Sequence, residues 1–457
     1  MARPAYPAGE PTNRTLSMTR ITTITLLLFL AGAARAHGQV DSIRSLSLGD
    51  AARLAAKQSG PSVAAFYRSE QAKGRALESR SALLPHVTGS FSDGQRTFNT
   101  ASFGIPFPGF DPNGQVIGPV RTVDIRGRVV ANLIDPAGFG RYRSAQAAAA
   151  GASADAEAVA NQAAGVATAT YIRVLRADAQ VNARAADSSL AAELLGIAQR
   201  QLQAGVGVAL DVTRARSQLA GTRAQLIAAR SERDRSRLDL ARAVGLPLIG
   251  PVVLRDSLVA VTALPIPSES DAIAAALRDR ADLRSAVAAT ETARRALRAA
   301  RSERLPMLGV FGDDGATSST YTHLLNTYTY GLQITLPVFE GLRTTARVQQ
   351  QTAALREAEA RQRDMELQVT LDVRSALLDL ASSQEQLGAA QERLALGEQE
   401  LAQSRERFRA GVAGNADVIT AQLNLDGARS QYVDALASLE MARVSLARAQ
   451  GHLLELP

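Results

Sequence analysis

Two stretches of the chain repeat apolar positions every seven residues, the period that winds helices into a left-handed supercoil. Residues 341–409 contain no proline, and Val373, Leu380, Leu387, Leu394, Leu401 and Phe408 recur at that spacing. Small residues follow three positions after the first five, at Ala376, Ser383, Ala390, Gly397 and Ser404, so a neighbouring helix can come close. A return helix repeats the pattern with Val418, Leu425, Tyr432, Leu439 and Leu446, beside Ala421, Ala428, Ala435, Ala442 and Ala449. An earlier stretch echoes both seams, with Val174, Val181, Leu195 and Leu202 going out and Val212, Leu219, Leu226 and Leu240 coming back. Ser188 and Arg233 interrupt it. Residues 141–203 alone predict a helix about 95 Å long, well beyond a small globular domain.

Elsewhere the alternation shortens to two, the period of a strand with two unlike faces. Within 327–340, Tyr328, Tyr330, Leu332, Ile334 and Leu336 share one face, and Thr329, Gly331, Gln333 and Thr335 share the other. Within 121–134, Val123, Ile125, Val129 and Leu133 oppose Asp124, Arg126, Arg128 and Asn132. A lipid-facing barrel strand needs this pattern, and a soluble sheet lying on a core produces it equally well. Tyr321, Tyr328 and Tyr330 cluster near one strand end, where an aromatic girdle would sit. Shorter partners precede each strand, at His86–Asp93 and Met307–Asp313, giving two hairpins. Four strands cannot close a barrel, and an open edge in lipid leaves backbone groups unpaired. Strands that meet lipid must therefore be shared among protomers. Two chains would give a barrel filled by side chains; three would give one with a lumen.

The whole plan occurs twice: short helix, strand pair, long helical hairpin. Leu84-Pro85 is matched by Leu305-Pro306, and Asp50-Ala51 by Asp271-Ala272. Ala204-Gly205 followed by Asp211-Val212 is matched by Ala410-Gly411 followed by Asp417-Val418. The first copy has the longer loop between its strands, Phe98 to Val120. A duplicated unit of this kind buries its surface by stacking on neighbours. The expected organisation is a signal peptide over 1–36, a first repeat over 37–246, a proline-containing segment over 247–269, a second repeat over 270–451, and a tail over 452–457.

Composition agrees with long helices. Of 457 residues, 46% are hydrophobic but only 4% aromatic, and tryptophan is absent. The formal charge is +7, and removing 1–36, with its four Arg and one Glu, leaves +4. Arginines alternate with acids along the helical stretches, which describes a solvated face. A nucleic-acid surface would cluster basic residues with stacking aromatics. From Met18 the chain reads Met-Thr-Arg, an apolar run Ile21–Leu30, then Ala34-Arg35-Ala36, the layout of a secretory signal. Met18 is an alternative start. Ten apolar residues fall short of the roughly 20 that cross a bilayer. Cysteine is absent, so there is no disulfide and no lipid-bearing N-terminal Cys.

Enzyme chemistry finds no foothold. His37, His86, His323 and His452 are scattered, and without Cys no metal-ligand spacing arises. Gly205-Val206-Gly207 lies between two helices rather than after a strand, which argues against a dinucleotide loop. No catalytic residue, metal or cofactor is expected.

These residues together resemble the TolC-like outer membrane factor family, the exit ducts of tripartite efflux pumps and type I secretion systems. The resemblance runs from about residue 46 to 451. It rests on Leu46–Pro61 followed by Leu84-Pro85, on Asp271–Asp282 followed by Leu305-Pro306, on the junction Leu336-Pro337-Val338-Phe339-Glu340-Gly341, and on the tips Ala204–Val212 and Ala410–Val418. It implies a mainly helical fold with a membrane β-barrel portion. Long coiled hairpins would form a periplasmic α-barrel, and each protomer of a homotrimer would give four strands to a shared twelve-stranded β-barrel in outer membrane lipid. The segment 247–269 would join a belt around the middle of the α-barrel, and the loops 98–120 and 315–326 would face outside the cell. The implied partners are a periplasmic adaptor (membrane fusion) protein and an inner-membrane transporter, with no nucleic acid.

The resemblance also implies site residues. Gly205, Val206, Gly411 and Val412 fall at the periplasmic tips, where the adaptor would dock. Both glycines equally suit a simple helix end. Asp417 matches the first carboxylate of the family's pore ring, and Asp211 is its counterpart in the first copy. As a helix N-terminal acid, Asp417 would be favoured by the dipole alone. The second ring carboxylate falls on Thr420, the bridging arginine on Ala413 and the tip tyrosine on Phe408, so packing around Phe408 replaces an ion-pair latch. The alternative from another class is a secreted coiled-coil structural or adhesive protein without a pore, for which two duplicated amphipathic hairpins would have no use. A duct devoted to one protein substrate is a further reading that the sequence does not separate from small-molecule efflux.

Overall fold

The computed structural model describes residues 45–103, 111, 113–248, 252–259, 266–410, 412 and 414–456. The signal-peptide expectation over 1–36 lies outside the described residues, as do Gly411 and Ala413.

The described chain repeats one order of elements. The first copy runs β1 (Ser45–Leu46), α1 (Leu48–Gln58), α2 (Gly60–Ser81), β2 (His86–Asn99), β3 (Val116–Ile134), α3 (Pro136–Gln203) and α4 (Ala209–Val244). The second runs β4 (Val253–Leu254), α5 (Glu269–Asp279), α6 (Ala281–Ser302), β5 (Met307–Ser318), β6 (Leu325–Thr335), α7 (Arg343–Arg409) and α8 (Asn415–Gln450). The duplication reaches the caps. Ser47 accepts from the Asp50 amide to start α1, and Ser268 accepts from the Asp271 amide to start α5. Asp135 accepts from Gly138 at 2.7 Å and Pro136 takes the first helical turn, where its missing N–H costs nothing. α3 and α7, with 68 and 67 residues, each extend for about 100 Å.

The seams read from the sequence are buried where the second hairpin closes. Val373, Leu380, Leu387, Leu401 and Phe408 of α7 are buried, as are Val418, Leu425, Leu439 and Leu446 of α8 and all five of its alanines. Gly397 sits against Leu425, where a Cβ would lie 3.5 Å from the Leu425 Cα. The first hairpin differs from the expected seam. On α3 the buried line near the tip is Asp187, Ala191, Leu194 and Ala198, whereas Leu195 is half-buried and Leu202 is 39% exposed. The physical reason is a double duty. Leu195 packs with Val212 and Ala215 of α4, whereas Leu194 packs with Leu401, Phe408 and Val418 of the second hairpin.

The four long strands form one antiparallel sheet in the order β2-β3-β5-β6, so the two expected hairpins join through β3 and β5. β2 and β3 are longer than anticipated, reaching Asn99 and starting at Val116, and the loop between them shrinks accordingly. A register shift between Arg96 and Phe98 lets Phe98 pair Ile117 and Asn99 pair Val116, so both strands run into the stretch expected as a loop. β6 ends at Thr335, short of the expected 340, because Pro337 cannot donate to a ladder.

A middle layer clamps the helices. β1 pairs with β4 in parallel, and the Tyr171 hydroxyl, halfway along α3, donates to the Leu46 carbonyl at 2.8 Å and meets Asp256 Oδ2 at 2.8 Å. Burial and the Asp256 carboxylate both push the Tyr171 hydroxyl's pKa up, so it stays a donor. Leu46, Ala51, Ala55, Ala167, Val174, Leu240 and Val244 close around it. α4 then stops at Gly245, whose φ of 81° and whose approach to Gln58 exclude a side chain: a Cβ would sit 2.7 Å from the Gln58 carbonyl oxygen. Among the described residues no helix is long and apolar enough to cross a membrane.

Candidate functional site at the hairpin tips

The two ends of the described fold carry its unusual surfaces. In the sheet, pairing places Val87, Val129, Gly312 and Tyr330 in one row, and Thr88, Arg128, Asp313 and Thr329 in the next. Successive side chains of a strand point to opposite faces. One face therefore collects Val87, Phe91, Ile125, Val129, Tyr330 and Leu332 along with Asp314, and the other collects Thr88, Asp124, Arg126, Arg128 and Asp313 along with Val130 and Phe311. On the apolar face Val87, Tyr330, Leu332 and Ile334 are 71–80% exposed, too much apolar surface to leave in water. On the polar face Arg126 grips Asp124 at 3.1–3.2 Å, Asp313, and Thr327 at 3.0 Å. At the loop end Arg121 holds Asp93 at 2.7 Å, and the Tyr321 hydroxyl donates to the same carboxylate. The outer strands β2 and β6 each keep one unpaired edge.

At the opposite end the helical hairpins turn. Gly205 adopts φ 75° after the last turn of α3, and the Val206 amide reaches back to the Gln201 carbonyl at 3.0 Å. That six-residue closure satisfies a carbonyl the helix end leaves free. In the second hairpin the Val412 amide makes the same bond to the Arg407 carbonyl at 3.0 Å. Gly411, an expected docking residue, lies outside the described residues. Val206 and Val412 are 80% and 71% exposed, so both tips present an apolar knob.

Of the expected constriction residues, Phe408 is buried among Leu194, Leu401, Val418, Ala421 and Leu425. Asp417 and Thr420 are exposed in the first turns of α8, the Thr420 hydroxyl donating to the Ala416 carbonyl at 3.0 Å. Asp211 sits in the first turn of α4, its side chain 20% exposed and 4.0 Å from Arg214.

The heptad pattern gave no hint of what binds the two hairpins together here. Asn415 Nδ2 donates to the Asp211 carbonyl at 3.0 Å, and Gln201 Nε2 to the Phe408 carbonyl at 3.5 Å. Farther from the tips, Arg405 pairs with Glu193, Arg429 with Asp187 at 2.9 Å, Gln180 with the Ser430 hydroxyl at 3.1 Å, and Arg176 with Asp434 at 2.8 Å. These contacts join residues more than 200 positions apart, and no heptad position marks them. Among the described residues no group of three His, Cys, Asp or Glu could hold a metal.

Two helices about 100 Å long, each closed into a hairpin by a return helix of 36 residues, carry the open four-stranded sheet at one end. The chain belongs to the outer membrane efflux protein family, whose model matches residues 135–246 and 272–452. It is 25% identical over 316 residues to the alkaline protease secretion protein AprF of Pseudomonas aeruginosa, covering 67% of this chain. The match spans 64% of that relative's length. Among solved structures it is similar to the Campylobacter jejuni CmeC outer membrane channel, with TM-score 0.77, 19% identity, and coverage of 89% of this chain and 86% of that one. It is also similar to the outer membrane protein VceC of Vibrio cholerae, with TM-score 0.75, 17% identity, and coverage of 88% and 96%. At these identities the likeness is one of fold.

Proposed function

We propose that the chain is one protomer of an outer membrane exit duct, a homotrimer that passively exports cargo received from a periplasmic pump complex. The observation that carries this reading is the four-stranded sheet with two open edges, apolar on one face and polar on the other. Backbone groups on an open edge have no partner in lipid, so the edges β2 and β6 must be joined by copies. Three copies give twelve strands and a lumen lined by Arg126, Asp124 and Asp313; two would give a barrel with a filled interior. The helices below continue the tube through the periplasm.

In this reading the repeats 37–246 and 270–451 each contribute one hairpin to the α-barrel, and 247–269 contributes to its belt. Val206 and Val412, with Gly205 and Gly411 turning the chain behind them, form the docking surface for a periplasmic adaptor that couples the duct to an inner-membrane transporter. Asp417, supported by Asp211, Phe408 and Thr420, forms the constriction. Three Asp417 carboxylates in a narrow ring draw in cations and bind those that fit.

Energy and cargo choice reside in the inner-membrane partner, so efflux and protein secretion share this duct. The name of the curated relative, a protease secretion protein, favours a protein cargo. Single-channel recording in a planar bilayer tests the assignment. Asp417→Ala should change conductance or weaken block by divalent cations, and identical currents with and without such cations in both proteins would remove Asp417 from the pore.

A further inference from the structure

Between α3 and α8, on the tip side of the middle layer, lies a polar seam where a coiled wall would ordinarily be apolar. Asp187 is fully buried on α3. On α8, Asp426 is 6% exposed and lies one turn from Arg429, which Asp187 holds at 2.9 Å across the junction. One turn toward the tip, Gln422 is fully buried, and neither its amide oxygen nor its amide nitrogen has a partner. Asp426 Oδ1 and, at the start of the helix, Asn415 Oδ1 are also buried without partners. Buried polar side chains are nearly always paired, so a run of unpaired ones along one interface calls for an explanation.

We propose that Asp187 and Asp426 share one proton across the α3–α8 junction, and that its loss loosens the two hairpins and favours an open mouth. The mouth belongs to the duct reading above, on which this step rests; the shared proton stands on the junction geometry alone. Two carboxyl groups close together and out of water resist carrying charge at once, and a proton on one of them relieves the repulsion. The charged groups acting on Asp426 are Asp187 and Arg184 from α3 and Arg429 from α8. Asp187 engages both arginines, Arg429 at 2.9 Å and Arg184 at 3.4 Å. From the other packed helices, α7 brings Arg393 to Gln431 and Glu400 to Asn424, and α4 brings Glu232 and Arg235 to the cavity that Arg184 and Ser430 also line. Burial and then the Asp187 charge push the Asp426 carboxyl up to about 7, with the arginines opposing and losing.

The sign follows from that direction. Joined, Asp426 holds its proton; parted and wetted, it returns to the ordinary carboxylate value. The joined state is therefore strongest at acid pH and loses ground as pH rises from the ordinary carboxylate value to about 7, by up to about tenfold per pH unit. Parting also gives Gln422, Asn415 and Asp426 the water partners they lack.

Infrared difference spectroscopy on the detergent-extracted full-length protein reads the proton directly. The expected result is a carboxylic-acid carbonyl band that persists to about pH 6, fades by about pH 8, and is missing from Asp426→Asn. A wild-type spectrum without that band, or the same band in the variant, overturns the shared proton. In planar bilayers the wild type should conduct more as pH rises across that interval, while Asp426→Asn, which imitates the protonated form, should stay low and flat. Identical pH profiles in the two proteins overturn the link to opening. Absence of channels from both proteins at every pH would refute the duct reading, and the link to a mouth with it; the infrared band would still decide the proton.

Discussion

Phe408→Ala should release the second hairpin tip without unfolding the rest of the helix. Phe408 is 6% exposed and fills the space between Leu194 of α3, Leu401 of its own helix, and Val418, Ala421 and Leu425 of α8. Truncating a buried Phe to Ala usually costs about 3–5 kcal/mol, and a site near a helix end can relax, so the lower end applies. At roughly 1.4 kcal/mol per factor of ten, that loss raises the open fraction about 100-fold. The assay is amide hydrogen exchange in the detergent-extracted protein, followed at the α8 residues between Asn415 and Leu425. Exchange there should accelerate by that order, while the middle layer around Tyr171 keeps its protection. Phe408→Leu should restore most of it by refilling the space. Leu202, the counterpart in the first copy, is already 39% exposed, so Leu202→Ala should do far less. Unchanged α8 exchange in Phe408→Ala would show that the tip is held by its polar bonds and not by this cluster.

Three further outcomes follow from other parts of the fold. Gly245→Ala places a Cβ against the Gln58 carbonyl at φ 81° and should cost at least ~1–2 kcal/mol, read as a lower thermal midpoint. Arg280→Gln should destabilise the contact of α6 with α7 by about 1–3 kcal/mol, because Arg280 donates to Asp282 at 2.6 Å and to Asp372 at 2.7 Å. Burial pushes Asp282 up, but Arg280 outweighs it and holds the carboxyl below its usual value; this stability is present at neutral pH and is lost as pH falls below the ordinary carboxylate range. An acid unfolding limb equally steep in wild type and Arg280→Gln would contradict that assignment. Asn415→Ala should cost about 1 kcal/mol of contact between the tips, seen as faster exchange at the start of α4 as well as α8, since Asn415 holds the Asp211 carbonyl.

The helices and strands were legible because each obeys one period over many residues. All five alanines expected along α8 are buried, and the two sheet faces separate as the alternation of Tyr328–Leu336 and Asp124–Asn132 required. The first outgoing helix was read with one seam where it carries two, since a seven-residue count follows Leu195 toward α4 and passes over Leu194, which meets the other hairpin. Strand ends were misjudged: the stretch 98–120, expected as a loop, carries continuing strands across a register shift, and Pro337 ended one strand early. The bonds joining the tips were not legible at all. Asn415 to Asp211 and Gln201 to Phe408 are single contacts across the fold between sequence-distant residues, and no local pattern marks them.

The central claim is that the open sheet is one third of a closed barrel, and the mass of the particle tests it most directly. Light scattering of the unheated, detergent-extracted outer membrane protein, corrected for bound detergent, should give three chains per particle. A monomer or dimer, or recovery from the soluble periplasmic fraction, would contradict the account and return the chain to a coiled-coil protein without a pore.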